Sequence, residues 1–335
     1  MANEVSSKLN DWFDLSEEFI GKRIRWHIIK AYTNKESYGD MDIIIELIPG
    51  SGSGELVKIA KDIFGATDIV PNGKVVSFGY KNFQIDLIGA PSDEFDFSCN
   101  YFAYNDLCNL VGRISHKMGF KFGHDGLWYV YRDGDYVIKE ILITQDFKKA
   151  LEVFGFSHDE YLKGFNDLED IYKYIVNNPY FNPDIYLLDN RNHTARVRDK
   201  KRKTYMGFLE WCKDGNNIPN SPYVFSTDKS VYLPDMFKAF KSFAISYSWA
   251  QHYNVTRLRS KEKFPMDLVR KHSGLEGKEL GAYIAALKSQ FDDSYDWHVF
   301  TLCLENDELL KIMDEEYAAL SSNNTLNGTS ISSLC

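Results

Sequence analysis

Short apolar runs separated by turns organise this chain. Between residues 21 and 95, "KRIRWHIIKAY" and "DMDIIIELI" read as strands, "GELVKIAKDIFG" reads as a helix, and "GKVVSFGYKNFQIDLIG" reads as a hairpin. From 96 to 170, aromatic-rich helical stretches such as "YNDLCNLVGRISHKMGF" and "TQDFKKALEVFGF" surround a hairpin-like "LWYVYRDGDYVIKEIL". From 171 onward the spacing is mostly helical, and "SSNNTLNGTSISSLC" has the composition of a disordered tail. The expected organisation is therefore an α+β chain with a sheet domain over 1–95, a mixed segment over 96–170, a mostly helical domain over 171–320 and a tail over 321–335. No internal repeat or long linker interrupts it.

The head of the second strand breaks the pattern. Asp40 and Asp42 stand one residue apart where a strongly hydrophobic strand begins, and alternation sends both to one face while Met41 takes the other. The later run "FQIDLI" carries a third acid, Asp86, between Ile85 and Leu87. If this strand lies beside the first, three carboxylates share one sheet face, a donor set suited to hard cations such as Mg2+. A D-x-D alone is often a solvated strand edge or a turn. Gly39 before the first acid, a buried-looking strand after the second and a third acid in another apolar strand favour metal binding. Two ions about 3.5 to 4 Å apart would activate an attacking oxygen and stabilise a leaving one in phosphoryl transfer.

Composition adds bounds. With 335 residues, 44% of them hydrophobic and 26% charged, the chain is long enough for two cores. No apolar run reaches the roughly 20 residues that span a bilayer, and the N-terminal stretch is polar and acidic without a signal-peptide core, so no membrane partner and a cytoplasmic location are expected, the host cytoplasm for a viral protein. The cysteines, Cys99, Cys108, Cys212, Cys303 and Cys335, are odd in number and form no C-x-x-C pair, which suits reduced thiols and offers no zinc site.

A formal net charge of -9 argues against indiscriminate duplex binding, yet "RNHTARVRDKKRKTY" is locally basic, with Arg191, Arg196, Arg198, Lys200, Lys201, Arg202 and Lys203 against the single acid Asp199. Such a run is as often a solvated loop as a phosphate grip. Tyr205, Trp211, Tyr223 and Phe225 follow within stacking reach.

At the acids the chain resembles the X family of DNA polymerases, within the DNA polymerase beta nucleotidyltransferase superfamily. That family's palm carries a G-D-x-D strand and a later aspartate in a "VDL" strand; here these are "GDMD" (Gly39 to Asp42) and "IDL" (Ile85 to Leu87). The family's Tyr-Phe pair, then an aspartate, an asparagine and an arginine, are matched by Tyr101, Phe102, Asp106, Asn109 and Arg113, with Gly119-Phe120 following. The likeness runs over residues 25–165. It implies a mixed-sheet palm, a nucleotide-binding subdomain over 96–170, and Asp40, Asp42 and Asp86 as the ligands of two Mg2+ ions, with Mn2+ as a substitute. It also implies in-line attack of a 3'-hydroxyl on the α-phosphate of a nucleoside triphosphate, with pyrophosphate released. Tyr101 and Phe102 would line the sugar, and Asp106, Asn109 and Arg113 would meet the base or the template-side neighbour.

The chain also departs from the family. Ile29-Lys30 stands where a Gly-Ser helix start holds the triphosphate, which leaves Lys30, Thr33, Asn34 and Lys35 as candidate substitutes, and Tyr104-Asn105 replaces the second Gly-Ser. The stretch ahead of the palm is too short for the family's lyase and helix-hairpin-helix modules, so lyase activity is not implied. "PGSGSGE" lacks the spacing of a phosphate loop, and the pairs His124-Asp125 and His158-Asp159 lack further partners for phosphohydrolase chemistry. Behind a nucleotidyltransferase core, the basic run Arg196, Arg198, Lys200, Lys201, Arg202 and Lys203 is the candidate grip on a nucleic acid. "FPMDLVRKHSGLEGKELGAYIAALKSQF" is faintly similar to the C-terminal helices of CCA-adding and poly(A) polymerases, or is an amphipathic helix pair with Gly281 allowing close packing. The acceptor expected is a DNA 3' end in repair; the alternatives are an RNA or tRNA end extended without a template, and a protein or small molecule.

Overall fold

A computed structural model describes residues 1–20, 24–289, 291 and 293–326. Contacts divide the chain into two compact units, residues 1–130 with 140–244, and residues 131–139 with 245–335. The architecture is α+β, with a five-stranded mixed sheet and a mostly helical C-terminal part.

The first unit opens with α1 (Ala2–Ile20), followed by β1 (Trp26–Ile28), β2 (Asp40–Leu47), α2 (Ser53–Phe64), β3 (Ile69–Asn72), β4 (Val75–Tyr80) and β5 (Phe83–Pro91). The strand order is β1-β2-β5-β4-β3, and only β2 and β5 run parallel. Lys81 and Asn82 join β4 to β5 with φ of 49° and 62°, the left-handed pair that a tight hairpin turn of primed type needs.

Of the expected strand over 22–32, residues 22 and 23 lie outside the described residues, and the strand observed covers Trp26–Ile28. The expected helix and hairpin form as α2, β4 and β5. The N-terminal helix was not foreseen from its polar composition. Its signal is Val5, Leu9 and Phe13 at intervals of four, which places one apolar stripe on the sheet.

Both faces of the sheet are covered. Met41, Ile43, Ile45, Ile85 and Leu87 join Val5, Leu9 and Phe13 of α1 and Leu56, Ile59 and Ala60 of α2 in one core. Ile44 and Ile88 pack on the other face against Phe95, with Ile29 and Phe102 beside them. Burial on two sides explains why Ile43, Ile44 and Ile45 read as an unbroken apolar run rather than an alternating one.

Beyond the sheet come α3 (Phe95–Phe102) and α4 (Leu107–Met118), then a three-stranded sheet of β6 (Phe120–Gly123), β7 (Gly126–Asp133) and β8 (Tyr136–Thr144). Five short helices follow: α5 (Phe147–Glu152), α6 (His158–Lys163), α7 (Leu168–Val176), α8 (His193–Asp199) and α9 (Lys203–Trp211). The unit closes with α10 (Leu233–Ala239) and the start of α11 (Lys241–Lys263).

In the second unit, α12 (Met266–Ser273), α13 (Gly277–Lys288), α14 (Ser294–Cys303) and α15 (Asn306–Leu326) enclose Val269, Leu280, Tyr283, Trp297, Leu309 and Met313. Two expectations change here. A side chain at Gly281 would meet nothing within 4 Å, so no close approach depends on that glycine. The segment expected to be disordered from 321 is helical through Leu326, and its remainder lies outside the described residues. Among the described residues, no helix is long and apolar enough to cross a membrane.

The α1 stripe gives a direct test of this packing. Leu9, wholly buried between helix and sheet, should cost about 2–5 kcal/mol when truncated in Leu9→Ala, read as a lowered urea midpoint with an unchanged slope. A loss below about 0.5 kcal/mol would mean that α1 does not cover the sheet.

Candidate functional site

Strand register brings the acids together. β2 and β5 are parallel neighbours with Asp42 opposite Asp86 and Asp40 opposite Gln84, so alternation places all four side chains on the face that Ile44 and Ile88 share. Asp40, Asp42 and Asp86 each offer an oxygen within 4.8 Å of the others, and no other acid, histidine or cysteine cluster of this kind occurs among the described residues. The Gln84 side-chain amide donates to both Asp86 oxygens, at 3.0 and 3.1 Å, and orients that carboxylate. Burial, then repulsion from Asp40 and Asp86, pushes the Asp42 carboxyl up to about 6, against a smaller pull downward from Lys35. Three oxygens so close, all from carboxylates, form the donor set that a hard divalent cation takes.

Two of these acids, Asp40 and Asp42, line a cavity of about 1180 Å3, and Asp86 stands beside Asp42 on the neighbouring strand. Its lining includes Asp40 and Asp42, with Lys30, Thr33 and Lys35 from the segment between β1 and β2, Tyr101 and Phe102 from the end of α3, and Asp106 and Asn109 at the start of α4. The segment from Ile29 to Tyr38 is not helical. The Ile29 amide donates to the Asp42 carbonyl, Thr33 to Phe165 and Asn34 to Asn166, so these three amides are committed to the fold and do not meet a ligand. Tyr101 and Phe102 meet edge to face at 5.4 Å, and burial pushes the Tyr101 hydroxyl up to about 12, which keeps its proton available for donation.

Tyr104 and Asn105, which stand at the second Gly-Ser position, have φ of 59° and 60°, a backbone that side chains rarely adopt. Tyr104 is held there by its amide on the Lys30 carbonyl and by its ring against Phe165 at 4.9 Å. Asn105 is left lining the cavity.

Part of the basic run enters the same cavity. Arg198, Arg202 and Lys203 line it, whereas Arg196, Lys200 and Lys201 do not. Arg202 pairs with Asp106, and Arg198 donates to Asn109 Oδ1 at 3.4 Å. Residues assigned by sequence to separate tasks therefore touch one another. Thr204 and the exposed Tyr38 also line the cavity and carried no motif that would have marked them.

Three sequence assignments move. Arg113 is buried, and its guanidinium donates to the Ile185 carbonyl at 2.8 and 3.1 Å, so it anchors α4 rather than facing the cavity. Gly39 is not part of the lining. Tyr205 is wholly buried with its hydroxyl on the Tyr186 carbonyl at 2.7 Å, and cannot stack on a base. The ring of His124 lies against Tyr101 and Phe102, and that of His158 against Tyr161 and Phe147, as packing partners. No protein-family model matches the chain, and no curated protein is significantly similar to it.

Because the folded Asp42 holds its proton to higher pH than an unfolded aspartate, metal-free stability falls as pH rises from about 4 to about 6. Asp42→Asn should therefore stabilise the metal-free protein at pH 7, by on the order of 1–2 kcal/mol, and by nothing below about pH 4. Chemical denaturation at the two pH values measures this, and a destabilised variant at pH 7 would refute the clustered charge.

Proposed function

We propose that the chain is a metal-dependent nucleotidyltransferase built on a polymerase-beta-like palm, which moves a nucleoside monophosphate from a ribo- or deoxyribonucleoside triphosphate to the 3'-hydroxyl of a nucleic acid and releases pyrophosphate. One observation carries this: three carboxylates cluster on adjacent parallel strands, and two of them, Asp40 and Asp42, line a cavity whose lining also holds lysines and arginines. Clustered acids beside clustered bases match a substrate that brings both cations and phosphates.

Asp40, Asp42 and Asp86 would hold Mg2+ or Mn2+, which supplies charge neutralisation at the transferring phosphate and a more acidic attacking hydroxyl. The protein's own contribution is position and charge. Gln84 fixes the direction of Asp86, and Lys30 and Lys35 place positive charge on the segment that lacks a helix N-terminus. Tyr101 and Phe102 form an apolar platform for the sugar, with a phenol proton for one of its hydroxyls.

A second reading, transfer to a protein or small-molecule hydroxyl, is favoured by one feature: half of the basic run lines the cavity, which reduces the cationic surface left for a polymer.

The test is an extension assay on labelled gapped DNA, single-stranded DNA and tRNA, with each nucleotide separately and Mg2+ or Mn2+. One acceptor should grow, at a rate cut by at least about a hundredfold in Asp42→Asn. No growth on any acceptor, together with a melting temperature that Mg2+ does not raise, would refute the enzyme.

A further inference from the structure

The fold divides the basic run in two. Asp199, wholly buried, takes the Arg191 guanidinium at 2.8 Å and Arg198 Nε at 3.1 Å, and so pins the turn between α8 and α9. Around this pin, Arg198, Arg202 and Lys203 line the cavity while Lys200 and Lys201 are exposed and outside its lining.

The lining arginines are only partly engaged. A guanidinium carries five N–H donors, and Arg202 spends one nitrogen on Asp106 while Arg198 reaches Asp199 and Asn109. Asn109 itself has a side-chain Nδ2 that is buried and has no partner among the described residues. An unpaired buried donor beside underused guanidiniums wants an acceptor-rich ligand. The segment between β1 and β2 cannot cradle one with its main chain at Ile29, Thr33 and Asn34, because those amides are bonded within the protein.

We propose that Arg198, Arg202 and Lys203 clamp the β- and γ-phosphates of the bound nucleoside triphosphate, in place of a main-chain cradle, and that the exposed Lys200 and Lys201 are left to meet a polymer. This rests on the transfer reading above and names the residues that hold its donor. Arginine suits the task because its planar fork grips phosphate oxygens in pairs. Asp106 keeps Arg202 extended toward the cavity until phosphate oxygens occupy the remaining donors.

Equilibrium binding on the full chain tests this, with ribo- and deoxyribonucleoside triphosphates in Mg2+, their monophosphates, and oligothymidylate at fixed salt. Arg202→Gln and Lys203→Gln should each weaken triphosphate binding about tenfold and change monophosphate and oligothymidylate binding by less than about twofold. A double Lys200→Gln/Lys201→Gln variant should do the reverse and flatten the salt dependence of oligothymidylate binding. Lys203 is exposed and has no part in the buried pair, so its variant keeps the comparison valid if Arg202→Gln lowers the melting temperature. Triphosphate affinity unchanged in both single variants, with oligothymidylate weakened, would overturn the clamp and leave the transfer reading standing. A wild-type chain that binds no triphosphate would sink both.

Discussion

Three like charges held within a few ångströms set the terms for the rest of this fold. At that separation two carboxylates repel by about 1 kcal/mol in water and about 4 kcal/mol at the effective dielectric of a protein surface, and Asp42 adds the cost of burial. The cluster persists because the strands that carry it cannot shift. Ile43 to Leu47 are all buried, and β2 pairs with β5 without interruption from Asp40–Gln84 to Leu47–Pro91. A slip of one residue would send the acids to the α1 and α2 face and strip Ile43 and Ile45 from their core. The hydrophobic register thus pays for the repulsion, and the strained end is left open to the cavity.

The cavity wall is assembled by polar anchors. Arg113 fixes α4 to the turn at Pro183–Tyr186, and the buried Arg191–Asp199 pair fixes the segment that follows. Tyr104 and Asn105 accept a costly backbone conformation that carries the chain from α3, with Tyr101 and Phe102, into α4, with Asp106 and Asn109. Removing one partner from such a buried pair leaves an uncompensated charge, so these anchors position the wall even though none of them need touch a ligand.

Much of the acid site was legible because strand alternation is a strict rule. Asp40 and Asp42 one apart, and Asp86 between two apolar residues, allow one common face once the strands are neighbours. The helix α4 and both hairpins followed from equally local signals. What sequence could not supply was long-range pairing. Nothing in "RVRDKKRKTY" says that Asp199 is buried, or that Arg202 reaches an aspartate 96 residues earlier, because contacts across such distances are chosen by packing rather than by neighbours in the chain. Arg113 misled for the same reason: a spacing that places it on the right helix does not place it on the right side of that helix. The helix α1 was hidden by composition, where four-residue spacing of Val5, Leu9 and Phe13 was the stronger signal.

The most direct measurement is anomalous diffraction from crystals of the full chain soaked in Mn2+ with a non-hydrolysable nucleoside triphosphate. The account predicts manganese among Asp40, Asp42 and Asp86, with the nucleotide's phosphates between that site and Arg202. Ordered manganese elsewhere, or a nucleotide bound away from the carboxylates, would contradict it.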